Sequence, residues 1–134
     1  MDWKLEVVIV PVSDMDRSKQ FYSEQVGFHV DLDTSIDDSL RFVQLTPPGS
    51  ACSITLDTRQ HNMTPGSVKG LQLVVANVEA ARTELTARGV AVSPIRHYEG
   101  AQLVDGRGGR WNSFIFFRDP DGNEWVIQER PSDE

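Results

Sequence analysis

Cysteine is almost absent from this chain, because Cys52 is the only one among its 134 residues. A single thiol can form no intramolecular disulfide, and it cannot build a zinc site from several cysteines. The sequence therefore excludes a disulfide scaffold and a cysteine-rich metal site.

Long apolar runs and an excess of basic residues are also missing. No stretch approaches the length of a membrane span, and the opening "MDWKLEVVIV" is too short and too acidic for a signal peptide. Lys and Arg number 13 against 20 Asp and Glu, which gives a formal net charge of -7. Binding to a phosphate backbone needs a basic face, so we expect no nucleic-acid partner. We expect a cytoplasmic protein, and its negative charge is compatible with a cationic ligand.

An internal repeat is the first positive feature. "LEVVIVPVSDMDRSKQFYSEQVGFHVDLD" and "LQLVVANVEAARTELTARGVAVSPIRHY" both read as strand, turn, helix, glycine and strand. Asp14 and Asn77 offer side-chain oxygens that can cap the two helices. Gly27 and Gly89 tolerate the positive φ that often ends a helix. The two halves therefore share one plan.

Three strand-like runs follow each helix. They lie at 28–33, 40–46 and 51–56 in the first half, and at 90–97, 111–117 and 123–129 in the second. With the opening strands, the order βαβββ occurs twice, which predicts an α+β fold of two tandem modules. We expect one domain over 1–134, with module one at about 4–56, a polar linker at 57–69 and module two at about 70–130.

Four stretches carry a family resemblance: "PVSDMDRSKQFYSEQVGF", "LTPPGSACSI", "LQLVVANVEAARTELTARGV" and "FFRDPDGNEWVIQE". Together they make the chain similar to the vicinal-oxygen-chelate superfamily, which includes glyoxalases, extradiol dioxygenases and bleomycin-resistance proteins. The resemblance implies a glyoxalase-like fold, in which the modules form a curled mixed sheet, or cup. It also implies a homodimer, because many relatives build each cup with a partner chain. It does not identify one activity, since fold and function separate widely in such groups.

The resemblance implies four metal ligands, from the first and fourth strands of each module. Carried over onto this sequence, those positions are occupied by Val7, Thr55 with Ser53 beside it, Leu71 and Val126. Aliphatic side chains cannot bind a cation, and a threonine hydroxyl binds one weakly. We therefore expect no metal cofactor.

A register shift of one residue would change this conclusion, because it moves every strand side chain to the other face. It would bring forward Glu6 and Gln72, with Glu124 or Glu129 from the last strand, and such a set could hold a divalent metal. We keep this metal site as an alternative. Otherwise Glu6 and Glu129 are solvent-facing strand residues.

Without a metal, the cup needs an apolar lining with a few polar groups, as small-ligand pockets have. Pairing Arg118 with Asn123 across a 119–122 turn would put Ser113 and Phe117 on one face with Val126. We predict that the following residues contact a ligand: Val7, Ser53, Thr55, Leu71, Ser113, Phe117, Val126 and Gln128. The same residues would equally serve as core.

The segment "YEGAQLVDGRGGRW" reads as a long glycine-rich loop that would act as a lid or binding loop. Arg110 is a candidate for clamping a ligand carboxylate, and Trp111 for stacking on a planar ligand. Trp111 would equally suit a dimer interface. His97, just before the loop, is a weak candidate for a general base.

Two functions remain open at this point. The first is a metal-independent small-molecule-binding protein of the bleomycin-resistance type, with its ligand in an apolar cup. The second is a lyase or isomerase of the glyoxalase type that uses a non-standard divalent-metal site or acid–base residues. The missing ligand set favours the first, and the sequence does not decide whether the protein is an enzyme.

Overall fold

The computed structural model describes residues 1–58 and 62–134, so residues 59–61 of the predicted linker, including His61, lie outside the described residues. The chain divides into two compact units. The first unit contains residues 1–68 and 119–123, and the second contains 69–118 and 124–134. Within the described ranges, no helix is long and apolar enough to cross a membrane.

The first unit is a four-stranded sheet with one helical segment. Its elements are β1 (Val7–Pro11), α1 (Met15–Gln20) with a π-helical continuation (Phe21–Val26), β2 (His29–Asp37), β3 (Leu40–Thr46) and β4 (Ser53–Asp57). The strand order is β1-β4-β3-β2. The β1 and β4 strands run parallel, and the other pairs are antiparallel.

The second unit repeats this plan with one extra strand. Its elements are β5 (Leu71–Val75), α2 (Val78–Ala87), β6 (Arg96–Glu99), β7 (Gln102–Asp105), β8 (Phe114–Arg118) and β9 (Glu124–Glu129). The strand order is β5-β9-β8-β6-β7, and its first and last strands again pair in parallel. The predicted α+β fold and the internal repeat are confirmed.

Both helices begin where local chemistry predicts. The Asp14 side chain accepts a hydrogen bond from Arg17 N at 3.1 Å, and Asn77 accepts one from Ala80 N at 2.9 Å. These oxygens satisfy backbone N–H groups that the first turn leaves without partners. The first helical segment ends at Gly27, whose φ is +92°. The caps are local features, which is why the sequence predicted them.

The predicted long loop is wrong in its first half. Residues 102–105 form β7, whose residues pair with β6 so that Tyr98 faces Leu103 and His97 faces Val104. The predicted strand at 90–97 is also shorter, since β6 begins at Arg96. Pro94 cannot donate to a strand ladder, and this weakens regular pairing just before Arg96.

Each sheet buries one face under its helix. In the first unit the buried strand residues are Val10, Val43, Leu45, Ile54 and Leu56, and Tyr22 on the helical segment is fully buried with them. On the helix-covered face of the second unit they are Ile115, Phe117, Trp125 and Ile127, with Val78 and Leu85 of α2, and Phe114 is buried on the other face. Because side chains alternate along a strand, the other residues form a second face on each sheet. We call these the first and the second open face.

The β8–β9 hairpin differs from the prediction by one residue. Arg118 pairs with Glu124, and Phe116 pairs with Val126, so the loop has five residues, 119–123, rather than four. Asn123 is kept out of the ladder because its backbone N–H and its side chain both bond to Asp119. As a result Phe116, rather than Phe117, shares a face with Val126.

A buried carboxylate organises this five-residue loop inside the first unit. Asp119 accepts hydrogen bonds from Tyr22 Oη at 2.7 Å and from Asn123 Nδ2 at 2.7 Å. Asn123 Nδ2 also donates to Pro11 O at 2.9 Å, and Asn123 Oδ1 accepts from Val68 N at 3.1 Å. Asn123 is fully buried and Asp119 nearly so. A buried charge is tolerated because it is hydrogen-bonded in this way.

Gly66 shows how closely the loop packs. A β-carbon placed there would lie 2.1 Å from the carbonyl oxygen of Asp121, and Gly66 has a φ of +84°. Both facts require glycine at this position.

Replacing Tyr22 by Phe tests the buried carboxylate. The change removes only the hydroxyl, so Asp119 loses one donor in a site that water cannot reach. We expect the free energy of unfolding to fall by about 1–3 kcal/mol, measured by urea denaturation. The matched control is Tyr98→Phe, which alters an exposed tyrosine and should change stability by less than about 0.5 kcal/mol. Equal effects of the two changes would contradict this role for Asp119.

Candidate functional site

The first open face carries a cavity of about 310 Å³. It is lined by Val7, Ile9, Leu32, Phe42, Gln44, Thr55 and Asp57. Val7 pairs with Ser53 and Ile9 pairs with Thr55 across the parallel strands β1 and β4. Three of the predicted ligand-contacting residues, Val7, Ser53 and Thr55, therefore lie on this face together.

The polar groups of the first open face lie on β3 and β4. Gln44 pairs with Thr55, and Asp57 follows on the same face of β4, 6% exposed. Ser53 Oγ lies 2.6 Å from Thr46 Oγ1, so these two hydroxyls bond to each other. The cavity is small and mostly apolar, and among residues 1–58 and 62–134 Asp57 is its one charged lining residue.

The second open face carries a larger cavity of about 660 Å³, within the range of small-molecule sites. The apolar and small residues of its lining are Gly70, Ala91, Leu103, Phe116, Phe117, Trp125 and Val126. Phe116 and Val126 are direct cross-strand partners and are half-buried. They form the apolar centre of this cavity.

Aromatic rings continue from the cavity along the second open face. Phe116 and Phe114 are two residues apart on β8, and their ring centroids lie 6.4 Å apart at an interplanar angle of 26°. Tyr98 contacts Phe114 edge to face, with centroids 5.5 Å apart, and it is 45% exposed. Phe114, the middle ring of the row, is buried at 9% exposed, whereas Phe116 and Tyr98 on either side are partly open to solvent and suited to contact with a planar molecule.

Charged side chains surround this cavity. Its lining includes Lys69, Arg96 and Arg118 against a single carboxylate, Glu124. Lys69 Nζ and Arg118 Nη2 lie 3.4 Å and 3.3 Å from Glu124 Oε2. Arg96 uses its Nε to contact Asp105 Oδ1 at 3.1 Å. The cavity is therefore locally positive, although the chain as a whole is negative.

Ser113, Phe117 and Leu71 do not lie on the second open face, contrary to the prediction. Ser113 is buried and its Oγ accepts a hydrogen bond from Gly108 N at 3.1 Å. Phe117 borders the cavity, but it is 3% exposed and its ring stacks on Trp125 with centroids 5.9 Å apart. Leu71 pairs with Trp125, on the face that α2 covers. The one-residue error in the predicted hairpin register explains the positions of Ser113 and Phe117, because it exchanges the two faces of β8.

Val126 and Gln128 lie on the second open face, as predicted, and Gln72 joins them. Gln72 pairs with Val126, and its Nε2 donates to Gln128 Oε1 at 2.8 Å. Gln128 Nε2 in turn donates to Trp111 O at 2.8 Å. This chain of amides connects β5, β9 and the segment before β8.

The segment before β8 is held by its own contacts. Trp111 lies outside the strand, which begins at Phe114, and its backbone is left-handed with φ +61°. Its side chain is 41% exposed. Arg110, the predicted carboxylate clamp, pairs through its guanidinium with Asp133 at 2.6 Å and with Glu134 at 2.7 Å. Trp111 is available on the surface, and Arg110 is engaged.

Glu129 is not a solvent-facing strand residue. Its carboxylate accepts a hydrogen bond from Val78 N at 2.9 Å, at the start of α2, and it pairs with Arg107. The hydrogen bond from Arg107 holds the pKa of Glu129 below its usual range, and the Val78 N–H acts in the same direction. Glu129 therefore anchors α2 to the sheet.

His97 lies away from both cavities. It pairs with Val104 on the face opposite to Tyr98, and its side chain is 15% exposed. Nδ1 lies 2.8 Å from the carbonyl oxygen of Gly106, and Nε2 lies 3.0 Å from Glu99 Oε2. The Gly106 carbonyl first, and then the Glu99 carboxylate, raise the pKa of His97. Through these contacts His97 stabilises the β6–β7 hairpin.

The residues at the positions of a metal site do not fit a metal ion. Val7 and Ile9 face the first cavity from β1, and Gln72, rather than Leu71, occupies the β5 position on the second open face. From the alternative set of the one-residue shift, Gln72 and Glu124 share that face, whereas Glu129 caps α2. In residues 1–58 and 62–134 there is no group of three or more His, Cys, Asp and Glu side chains that could hold a metal ion.

Sequence reasoning missed Arg96, Phe116 and Arg118, which the second cavity places together. Alternation along "FIFFR" puts Phe114, Phe116 and Arg118 on one face, but which face is open depends on the hairpin register. Phe42 and Gln44 on the first open face were missed as well, although the alternation in "LRFVQLT" would have been sufficient to find them.

The sequence of this chain matches the model of a known protein family. The family model of the Glyoxalase/Bleomycin resistance protein/Dioxygenase superfamily matches residues 4–127. The predicted resemblance is thereby confirmed, together with the glyoxalase-like fold.

Solved structures give the same result. The chain is 32% identical to TnmS3, an antibiotic binding protein from Streptomyces sp. CB03234, with a TM-score of 0.77 and coverage of 96% of this chain and 97% of that one. It is 34% identical to a glyoxalase/bleomycin resistance protein from the same organism, with a TM-score of 0.74 and coverage of 93% and 99%. A curated relative, the uncharacterized protein YetH of Bacillus subtilis, is 23% identical over 94% of this chain and 98% of its own length.

The raised pKa of His97 leads to a prediction about pH. A histidine whose pKa is raised on folding stabilises the folded state fully below its unfolded pKa, near 6.5, and this contribution is lost as pH rises through the folded pKa. We expect an NMR titration to place the His97 pKa above 6.5, and Glu99→Gln to lower it. Glu84→Gln, which removes a carboxylate on α2 that pairs with Arg88, is the control and should leave it unchanged. A His97 pKa at or below 6.5 in the unmodified protein would contradict the contacts described.

Proposed function

The chain belongs to the Glyoxalase/Bleomycin resistance protein/Dioxygenase superfamily, and from this membership and the geometry above we propose that it binds a small molecule on the second open face. The ligand class that the comparisons support is an antibiotic or a similar secondary metabolite, since TnmS3 is an antibiotic binding protein at 32% identity. Binding without chemical conversion is the activity we propose.

One observation carries this proposal. The second open face leaves Phe116 and Val126 half-buried at the centre of a cavity of about 660 Å³, with further aromatic rings beside it. Exposed apolar area of this kind costs free energy in water, and a ligand that covers it regains that energy at about 25 cal/mol per Å². The first open face has a cavity of about 310 Å³, half that volume. We therefore propose the second open face, with Val126 and Gln128, as the main site.

We propose that binding is independent of metal. The support is the chemistry of the residues at the family's ligand positions, where Val7 and Val126 offer no donor atom. Thr55 offers one hydroxyl, and the Oε1 atom of Gln128 already accepts a hydrogen bond from Gln72. A divalent ion prefers several charged or strongly donating ligands.

The extent of the domain and its location in the cell are proposed as well. We propose that modules 4–56 and 70–130 serve one function as a single domain, in the cytoplasm and without a nucleic-acid partner. The net charge of -7 supports the last point, because it opposes binding to phosphate.

We propose that the protein forms a homodimer through the β1 edge. The β1 strand lies at the end of its sheet, and the residues before and within it expose Trp3 (87%), Leu5 (70%) and Val7 (38%). These residues alternate, so an extended chain presents them on one side. An exposed apolar strand edge is a favourable place for a second copy to pair.

Binding should depend on Phe116. With the neutral fluorescent probe N-phenyl-1-naphthylamine, we expect saturable binding that Phe116→Ala weakens about 5- to 50-fold, because the variant loses the ring contact and its apolar area. The matched control is Phe42→Ala, the same change on the first open face, which should alter the affinity less than twofold. Affinities are measured by fluorescence titration.

The same titration distinguishes the competing explanations. Loss of binding in Phe42→Ala instead of Phe116→Ala would move the site to the first open face. Addition of EDTA should leave the affinity unchanged, and a loss that Zn²⁺ or Ni²⁺ restores would contradict metal independence. Displacement of the fluorescent probe by antibiotics then identifies candidate ligands.

The dimer proposal predicts a change of mass on substitution. Light scattering after gel filtration should give twice the mass of the chain for the unmodified protein, and the monomer mass for the double variant Trp3→Ser, Leu5→Asp. Ile36→Ser, which alters another exposed apolar residue, is the control and should remain dimeric. A monomeric unmodified protein at micromolar concentration would refute the proposal.

A further inference from the structure

The charges around the second cavity are opposite in sign to the charge of the chain. The chain carries -7, yet the cavity lining has three cationic residues and one carboxylate. In the part of the chain that the structure describes, the lining of the first cavity includes one charged residue, Asp57. A cationic ligand, which the overall charge is compatible with, therefore suits the second cavity poorly. An anionic ligand suits it well.

Arg96 has the geometry to bind that anion. Its side chain is 36% exposed, and within the described residues its one hydrogen bond runs from Nε to Asp105 Oδ1. A guanidinium has five N–H donors, so the two Nη groups of Arg96 remain available for a forked contact with a carboxylate. Asp105 is 77% exposed, so water screens this ion pair, and the pair neutralises Arg96 only weakly.

Arg96 lies beside the aromatic row. It pairs with Phe114 across β6 and β8, so both side chains lie on the second open face. Phe114 and Phe116 have their ring centroids 6.4 Å apart, and Arg96 and Phe116 line the same cavity. A ligand whose ring lies on Phe116 can therefore present a charged group to Arg96.

Arg118 contributes less than Arg96 to the binding of an anion. Arg118 follows Phe116 on the same face of β8, and its side chain is 72% exposed. Its contact with Glu124 at 3.3 Å is long for a charge-assisted hydrogen bond. Arg118 therefore adds attraction at the rim of the cavity, while the better-covered Arg96 makes the specific contact.

We propose that the ligand of the second cavity is a planar aromatic molecule that carries a carboxylate, with its ring on Phe116 and its carboxylate on Arg96. This inference rests on the proposed binding function and adds the charge and shape of the ligand. It assigns Arg96 as the residue that determines specificity.

The test uses two probes of the same ring and different charge, 2-naphthoate and the neutral 2-naphthylmethanol. Calorimetry should show 2-naphthoate binding at least about tenfold tighter. Arg96→Gln should weaken 2-naphthoate about 10-fold or more and leave 2-naphthylmethanol within twofold. Raising NaCl from 50 to 500 mM should weaken only 2-naphthoate, because salt screens exposed charges. Arg110→Gln, an arginine of the same unit outside the cavity, is the matched control and should change neither affinity.

The outcomes separate this inference from the binding function itself. If both probes bind equally in a Phe116-dependent way, the site exists and the preference for a carboxylate is overturned. If Arg118→Gln abolishes the preference and Arg96→Gln does not, the assignment of Arg96 is overturned. If neither probe binds and N-phenyl-1-naphthylamine also fails to bind, the binding function fails together with this inference. Each variant is first checked by its melting temperature against the unmodified protein.

Discussion

The hydrogen bonds of one buried carboxylate, Asp119, determine the length of the β8–β9 loop, and the register of the hairpin depends on that length. They hold Tyr22 and Asn123 within the first unit and so fix a loop of five residues between β8 and β9. Loop length decides register, and register decides which side chains of β8 face outward. Phe116 and Arg118 reach the second cavity for this reason, and Phe117 packs on Trp125 instead. The length of the 119–123 loop thus decides which side chains of β8 face outward.

Local signals predicted most of the fold. The caps at Asp14 and Asn77 and the repeated order of strands depend on neighbouring residues, so they can be read without tertiary information. The two failures differ in kind. The β7 strand pairs with its sequence neighbour β6 across the two residues 100–101, so this strand was missed although its contacts are local. The register of the last hairpin is non-local, because Asn123 bonds to Pro11 and Val68. No pattern of apolar residues reports such contacts.

The candidate site was predictable to a different degree in each unit. On the first open face, Val7, Ser53 and Thr55 share a face because short parallel strands keep a simple alternation. On the second, the one-residue error placed Ser113 and Phe117 outward and hid Phe116. Net charge carries no local information either, because a sum over 134 residues does not report that Arg96, Arg118 and Lys69 line one cavity.

The first unit is built from two separate segments of the chain, and this has a consequence for biosynthesis. Residues 1–68 form a compact unit only together with 119–123, which leave the ribosome about fifty residues later. Until then the Tyr22 hydroxyl and the Pro11 carbonyl have no Asp119 or Asn123 to bond to. The hydrogen bonds that complete the first unit can therefore form only after residues 119–123 have been synthesised.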